Sequence, residues 1–182
     1  MKKFLLFLFV QFFTLIAFSQ NGFIDGYIIN LKGDTVRGKI KDRKEIKDKI
    51  GWQKVIFIDE KGEENKFTPD DINGYGKSNE KTFRTLTLGI EARKRFVEIL
   101  ESGNVFLYAY SLGLSPKATP DYFLLKKNDA NSLMEWRGKD YKVTAGYFFN
   151  ADKNLMKLIA SDSLKHADIQ TIVKRYNEGR GK

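Results

Sequence analysis

Hydrophobic and polar residues alternate over the first two thirds of the chain, and the period of the pattern lengthens near its end. Short apolar runs, rich in β-branched and aromatic residues, are separated by turn signals such as Lys32-Gly33-Asp34, Lys61-Gly62-Glu63 and Ser102-Gly103-Asn104. Glycine supplies the backbone conformation that tight hairpin turns require. The pattern therefore predicts an N-terminal antiparallel sheet of about seven to nine short strands.

The strand predicted from Thr35 to Lys41 has two contrasting sides, because side chains alternate along a strand. One side is apolar, and the other carries Arg37, Lys39 and Lys41. Two interpretations of these cations remain open. They attract anionic envelope material, such as lipid head groups or acidic glycans, or they are the solvated side of a strand and discourage edge-to-edge aggregation.

A second alternating run lies in the predicted hairpin RFVEILESGNVFLYAYSL. Phe106, Tyr108 and Tyr110 share one side of its second strand. These rings either line a groove for a sugar or a peptide, or face the core of the sheet. The hydroxyl groups of Tyr108 and Tyr110 keep the groove among the candidate sites.

The period changes toward that of a helix from about residue 140. The segments 141–149 and 151–160 are predicted helices, the second with Asn150 as its cap. The segment 167–177 gives the clearest signal, because its apolar residues recur at helical spacing, and Gly179 is placed to end it. Strands followed by helices predict an α+β domain with two or three C-terminal helices packed on one face or end of the sheet.

The N-terminal sequence MKKFLLFLFVQFFTLIAFSQ is typical of a secretory signal peptide. Lys2 and Lys3 precede an apolar run, and Ala17 and Ser19 provide small residues before a cleavage site. The run is shorter than a membrane-spanning helix. We therefore expect a signal peptide at 1–19, removed on export to the periplasm or the cell exterior. A single α+β domain at 20–182 follows, β-rich over 22–137 and helical over 139–178.

The amino-acid composition limits the kinds of site and partner that the chain can have. The chain has 182 residues, no cysteine and one histidine, and its formal net charge is +9. Without cysteine there are no disulfides and no thiolate metal sites. No second apolar run approaches membrane-spanning length, so we expect a mature chain that does not span the membrane. The positive charge favours association with polyanions, although nucleic acid is not expected as the partner of an exported protein.

No set of residues indicates a reaction. The sequence contains neither a glycine-rich phosphate loop nor a nucleophile elbow, and the lone His166 has no second histidine for a zinc site. We therefore expect no cofactor, no metal and no catalytic residue. A hydrolase or transferase that acts on envelope glycans remains the alternative. It would need converging carboxylates, for which Asp70 and Asp71, or Glu98 and Glu101, are the candidates.

Four blocks together carry a resemblance: GYIINLKGDTVRGKI, KFTPDDINGY, RFVEILESGNVFLYAY and ADIQTIVKRYN. The chain resembles a group of short exported proteins from Bacteroidetes bacteria, and the resemblance covers most of the mature chain. It implies an envelope or secreted location and nothing about catalysis. The function expected from the sequence is a non-enzymatic binding domain of the cell envelope, whose partner is a protein or an anionic surface polymer. The candidate contacts are Arg37, Lys39, Lys41, Tyr108 and Tyr110.

Overall fold

Ten strands form one antiparallel sheet in the computed structural model, which describes residues 22–42, 54–78, 81–89, 92–111 and 119–179. The strands are β1 (Ile24–Asn30), β2 (Thr35–Asp42), β3 (Val55–Ile58), β4 (Glu64–Phe67), β5 (Ile72–Lys77), β6 (Thr82–Leu88), β7 (Arg93–Glu101), β8 (Val105–Tyr110), β9 (Asp121–Lys126) and β10 (Asp129–Glu135). The α+β prediction is confirmed. The sheet has one strand more than the upper end of the predicted range of seven to nine. The strand without a signal in the sequence is β5, whose sequence INGYGK combines asparagine and two glycines that favour turns.

The strand order across the sheet is β10-β9-β8-β7-β6-β5-β1-β2-β3-β4. Consecutive strands of the chain pair with each other except β4 and β5, because β5 pairs with β1 instead. The chain therefore builds β1 to β4 outward in one direction, returns to the free side of β1, and builds β5 to β10 outward in the other. All nine pairings are antiparallel.

Two hairpin turns in the first half share the same chemistry. In the β1–β2 turn the Asn30 side-chain oxygen accepts the backbone amides of residues 32 and 34, both at 2.9 Å, and in the β3–β4 turn Asp59 accepts those of residues 61 and 63 at 2.9 and 2.8 Å. Gly33 and Gly62 follow with φ of +93° and +86°. These positive φ values are accessible to glycine at little cost, so the Lys-Gly pairs are turn chemistry.

Three helices follow the sheet: α1 (Tyr141–Phe149), α2 (Lys153–Ala160) and α3 (Ile169–Gly179). The cap of α2 is Asp152, whose side chain accepts the backbone amide of Leu155 at 2.9 Å, so the prediction of Asn150 as the cap was wrong. A short 3₁₀ turn, His166–Asp168, leads into α3. No helix among the described residues is long and apolar enough to cross a membrane.

The core divides into three clusters. The largest joins the helices to β8 and β9 and includes Leu107, Leu124 and Ile172, each fully buried. A second lies among β1, β2, β3, β5 and β7, and a third lies on the face of β8 and β9 opposite the helices. Because residues alternate along β8, Leu107 belongs to the helix-facing cluster while Tyr108 belongs to the third.

Candidate binding face

The three cations of β2 lie on one side of the sheet. The strand pairing sets Arg37 opposite Tyr27, and Lys39 opposite Asp25 on one neighbouring strand and Ile58 on the other. Arg37 is exposed, whereas Lys39 and Lys41 are half-buried. The Lys41 ammonium nitrogen lies 5.4 Å from the centroid of the Phe23 ring. The structure thus brings the predicted cations together on a single face.

The opposite side of β2 fixes this arrangement. Ile40 is fully buried in the second core cluster. A β-carbon on Gly38 would meet the carbonyl oxygen of Ile58 and the ring of Phe57, so only glycine fits there. Shifting the strand by one residue would turn Lys39 toward the core and expose Ile40. The register that buries the apolar side chains is therefore the one that presents the cations.

An open cleft of about 570 Å³ lies beside Arg37 and Lys39, between β2 and the turn that follows β3. Arg37, Lys39, Asp25, Glu60 and Ser78 are among its lining residues. A second cavity of about 440 Å³ is also lined by Arg37 and Glu60, and it adds Lys61. The wall formed by Glu60 and its neighbours has no signal in the sequence, because their pattern indicates only a turn.

The cleft itself is mixed in charge. Its carboxylates come from Asp25, Asp59 and Glu60. Asp59 already accepts two backbone amides of its own turn, which gives it a structural role. Since these acids lie beside Arg37 and Lys39, the positive charge of the face is strongest along β2 and weaker inside the cleft.

Tyr108 and Tyr110 are buried, unlike the β2 cations. Tyr108 is fully buried and Tyr110 is 9% exposed, within the third core cluster. The Arg84 guanidinium donates a hydrogen bond of 3.5 Å to the Tyr108 hydroxyl. Burial raises the pKa of that hydroxyl, although the nearby Arg84 charge opposes the rise. Both rings therefore occupy the core-facing position that the sequence left open, rather than the wall of an exposed groove.

The carboxylates considered for catalysis have structural partners. Asp71 accepts the backbone amide and the hydroxyl of Thr68, both at 2.7 Å, and these bonds lower its pKa. The short Thr68–Asp71 segment is a turn closed by this side chain. The other partners are Lys94 for Asp70, Lys81 for Glu98 and Gln170 for Glu101.

His166 packs against the end of the sheet. Its ring stacks on that of Trp136 at 5.9 Å between centroids, and its Nε2 lies 3.2 Å from the Trp136 carbonyl oxygen. The Trp136 indole in turn donates to the His166 carbonyl at 2.9 Å. Within the described ranges, no group of three or more histidine and acidic side chains is placed to hold a metal ion.

Tyr27 adjoins the β2 cations, although nothing in the sequence indicates it as a candidate residue. Tyr27 lies on β1 between Arg37 on β2 and Gly76 on β5. A β-carbon on Gly76 would lie 2.5 Å from Cζ of Tyr27, so the tyrosine ring rests on the glycine backbone. The ring is half-buried and adjoins the cations. Its role depends on strand pairing, which no local pattern in the sequence reveals.

No protein-family model matches this chain, and neither a curated protein nor a solved structure matches it.

Proposed function

We propose that this protein is an exported, non-enzymatic binding domain of the cell envelope and that its ligand is an anionic surface polymer. The observation that carries the proposal is the common side of β2, which holds Arg37, Lys39 and Lys41, and of these Arg37 and Lys39 line an open cleft. Export is supported by the signal-peptide pattern of the first 19 residues.

The spacing of the cations suits a polymer. Successive residues on one side of a strand lie about 7 Å apart. That distance is within the Debye length of about 8 Å at physiological ionic strength, so their fields overlap. A single exposed ion pair contributes at most about 1 kcal/mol. A ligand that carries many negative charges on one chain gains from all three cations at once.

The composition of the face favours a polymer over a protein partner. The cores of protein–protein interfaces are depleted in lysine and rich in aromatic side chains. On β2 the solvent-facing side has two lysines and one arginine, while the aromatic Tyr108 and Tyr110 are buried. Charge at an exposed face contributes mainly through long-range attraction, which a polyanion can use along its whole length.

Binding to a carboxylated polysaccharide tests the proposal. Polygalacturonate would be titrated with the protein at increasing sodium chloride, with neutral dextran as the control ligand. We expect binding that weakens as salt rises, because the ions screen exposed charges. The variant R37Q/K39Q/K41Q should bind at least about tenfold more weakly, since three ion pairs at the surface together contribute about 1.4 kcal/mol or more.

A matched variant separates the site from the net charge. The triple substitution K153Q/K157Q/R175Q removes the same charge from exposed positions of α2 and α3. We expect it to bind polygalacturonate as the unmodified protein does. Equal losses in the two variants, or binding that does not change with salt, would show that no site exists on β2.

A further inference from the structure

More cations lie on the same face of the sheet, on β6 and β7. Arg84 pairs with Gly74 of β5, Arg95 with Leu86, and Arg93 with Leu88. Since Tyr27 pairs with Gly76, two residues from Gly74, the side chains of Arg84 and Tyr27 point to the same side. Arg84 and Arg93 are exposed and Arg95 is half-buried.

The register arranges all six cations in one diagonal. Residues paired across neighbouring strands lie at one level of the sheet, and levels on one face are two residues apart. Lys41, Lys39 and Arg37 occupy three successive levels on β2, and Tyr27 and Gly76 share the level of Arg37. Arg84 occupies the next level, two strands beyond Tyr27, and Arg95 and Arg93 continue the series on β7.

The diagonal is long, and its centre lies over glycine residues. From Lys41 to Arg93 it measures about 40 Å along the sheet, from a rise of about 3.4 Å per residue and about 4.8 Å between strands. At its centre β5 contributes only the glycines Gly74 and Gly76, and the ring of Tyr27 rests on Gly76. Among the described residues of β1, β2, β5, β6 and β7 on this face, the one carboxylate is Asp25, opposite Lys39.

We propose that these residues form one binding track for an extended acidic polysaccharide: Lys41, Lys39, Arg37, Tyr27, Arg84, Arg95 and Arg93. This inference rests on the proposed function and names the ligand class. One cation at each level suits a linear chain with regularly repeated acid groups, whereas a compact anion reaches only two levels. Arginine additionally binds a carboxylate through two parallel hydrogen bonds.

Tyr27 distinguishes a polysaccharide from other linear polyanions. An aromatic ring flanked by cations offers an apolar surface to the carbon-bound hydrogens of a sugar ring, with a hydroxyl at its edge. Tyr27 lies at the level of Arg37, and Arg84 is one level away on the far side of the glycine strip. A sugar on the ring of Tyr27 would therefore place its acid groups between the two halves of the track.

Length dependence tests the track. Two oligogalacturonates would be compared: a short one that covers only β2, about 14 Å, and a long one that covers about 40 Å. In the unmodified protein the long oligomer should bind at least about tenfold more tightly than the short one, because it reaches three more cations. In R93Q/R95Q that advantage should fall, because the long oligomer then reaches only Arg84 beyond β2. The affinity for the short oligomer should fall by no more than about twofold, because β2 keeps its three cations.

Tyr27 is tested by a conservative pair of substitutions. Tyr27→Phe keeps the ring on Gly76 and should bind the long oligomer within about twofold of the unmodified protein, whereas Tyr27→Leu should weaken it by about fivefold or more. Circular dichroism and thermal melting verify that each variant is folded. Polyphosphate of equal length is the comparison ligand, and its affinity should not respond to Tyr27→Leu.

The outcomes separate the two proposals. If the long oligomer has no advantage, or keeps all of it in R93Q/R95Q, the track is refuted while the β2 site stands. If Tyr27→Leu has no effect, or weakens polyphosphate as much as the glycan, the ligand is not selected as a polysaccharide. If neither oligomer binds the unmodified protein, the proposed function fails as well.

Discussion

The Asn177 side chain connects the last helix to the sheet, and we expect its removal to destabilise the protein. Its carboxamide oxygen accepts the backbone amide of Val105 at 3.0 Å, and its nitrogen donates to the Val105 carbonyl at 2.8 Å. Val105 is only 1% exposed. The side chain therefore acts as a short length of backbone, satisfying both polar groups of a buried residue where β8 begins.

The expected cost of Asn177→Ala follows from these two bonds. Each hydrogen bond contributes a net ~1 kcal/mol, and leaving a buried amide or carbonyl without a partner costs more. We therefore expect the free energy of unfolding to fall by about 2–3 kcal/mol. Urea denaturation followed by circular dichroism measures this change, with an unchanged slope as evidence that both proteins unfold in the same way.

The neighbouring Gly103 provides an independent check of the geometry. A β-carbon at this position would lie 2.5 Å from Cγ of Asn177. Gly103→Ala should therefore destabilise the unmodified protein by about 1–3 kcal/mol through overpacking. In the Asn177→Ala background the obstacle is gone, so the same substitution should cost less than about 0.5 kcal/mol.

Lys174→Ala serves as the control for the helix, because Lys174 is an exposed residue of α3. It should change the free energy of unfolding by less than about 0.5 kcal/mol. Asn177→Asp keeps the acceptor, but its second carboxylate oxygen would face the Val105 carbonyl in place of the donor, so it should cost at least as much stability as Asn177→Ala. Additive effects of Gly103→Ala and Asn177→Ala on the free energy of unfolding would contradict the contact between the two residues, since substitutions at contacting residues are coupled.

Three further predictions concern a strand, a helix and an ion pair. Gly38→Ala should cost about 2–3 kcal/mol in urea denaturation, because its β-carbon would meet Phe57. Gly146→Ala should instead stabilise the protein by about 0.5–1 kcal/mol. Gly146 lies inside α1, where alanine is favoured over glycine, and nothing lies within 4 Å of the new methyl group. The Asp162 carboxylate forms an ion pair with the Lys142 ammonium and accepts a hydrogen bond from the Tyr141 hydroxyl. Both contacts lower the pKa of the Asp162 carboxyl, and the contact with Lys142 has the larger effect. The contribution of this contact to the stability of the fold is fully present above the ordinary carboxyl pKa of about 3.9. It is lost as the pH falls through the lowered pKa that Asp162 has in the folded protein. The melting temperature of Asp162→Asn should therefore lie below that of the unmodified protein near neutral pH and approach it in acid; a constant difference would contradict the assignment.

Local elements could be predicted where one short signal was sufficient. The turn glycines Gly33 and Gly62 adopt positive φ as expected. The strand β2, Thr35–Asp42, begins at the predicted residue and runs one residue beyond the predicted end, and the helical spacing near the C-terminus identifies α3. These elements depend on contacts within a few residues, so the local sequence contains the relevant information.

The strand β5 shows where local reasoning failed. Its glycines favour a turn when the sequence is taken alone. In the fold these glycines instead let residues of the two neighbouring strands lie close to β5. A β-carbon on Gly74 would meet the carbonyl of Phe83, and one on Gly76 would meet the ring of Tyr27. The pairing of β5 with β1, across more than forty residues of chain, makes this strand stable. Long-range pairing of this kind overrides local preference.

For the candidate site, the sequence determined that Arg37, Lys39 and Lys41 share one side of a strand, because alternation requires only the backbone of that strand. It could not determine which side of the sheet Tyr108 and Tyr110 occupy, nor that Tyr27 and the arginines of β6 and β7 share the face of the β2 cations. Those relations depend on strand order and register. Order and register are set by how the whole chain buries its apolar surface, which only the tertiary structure decides.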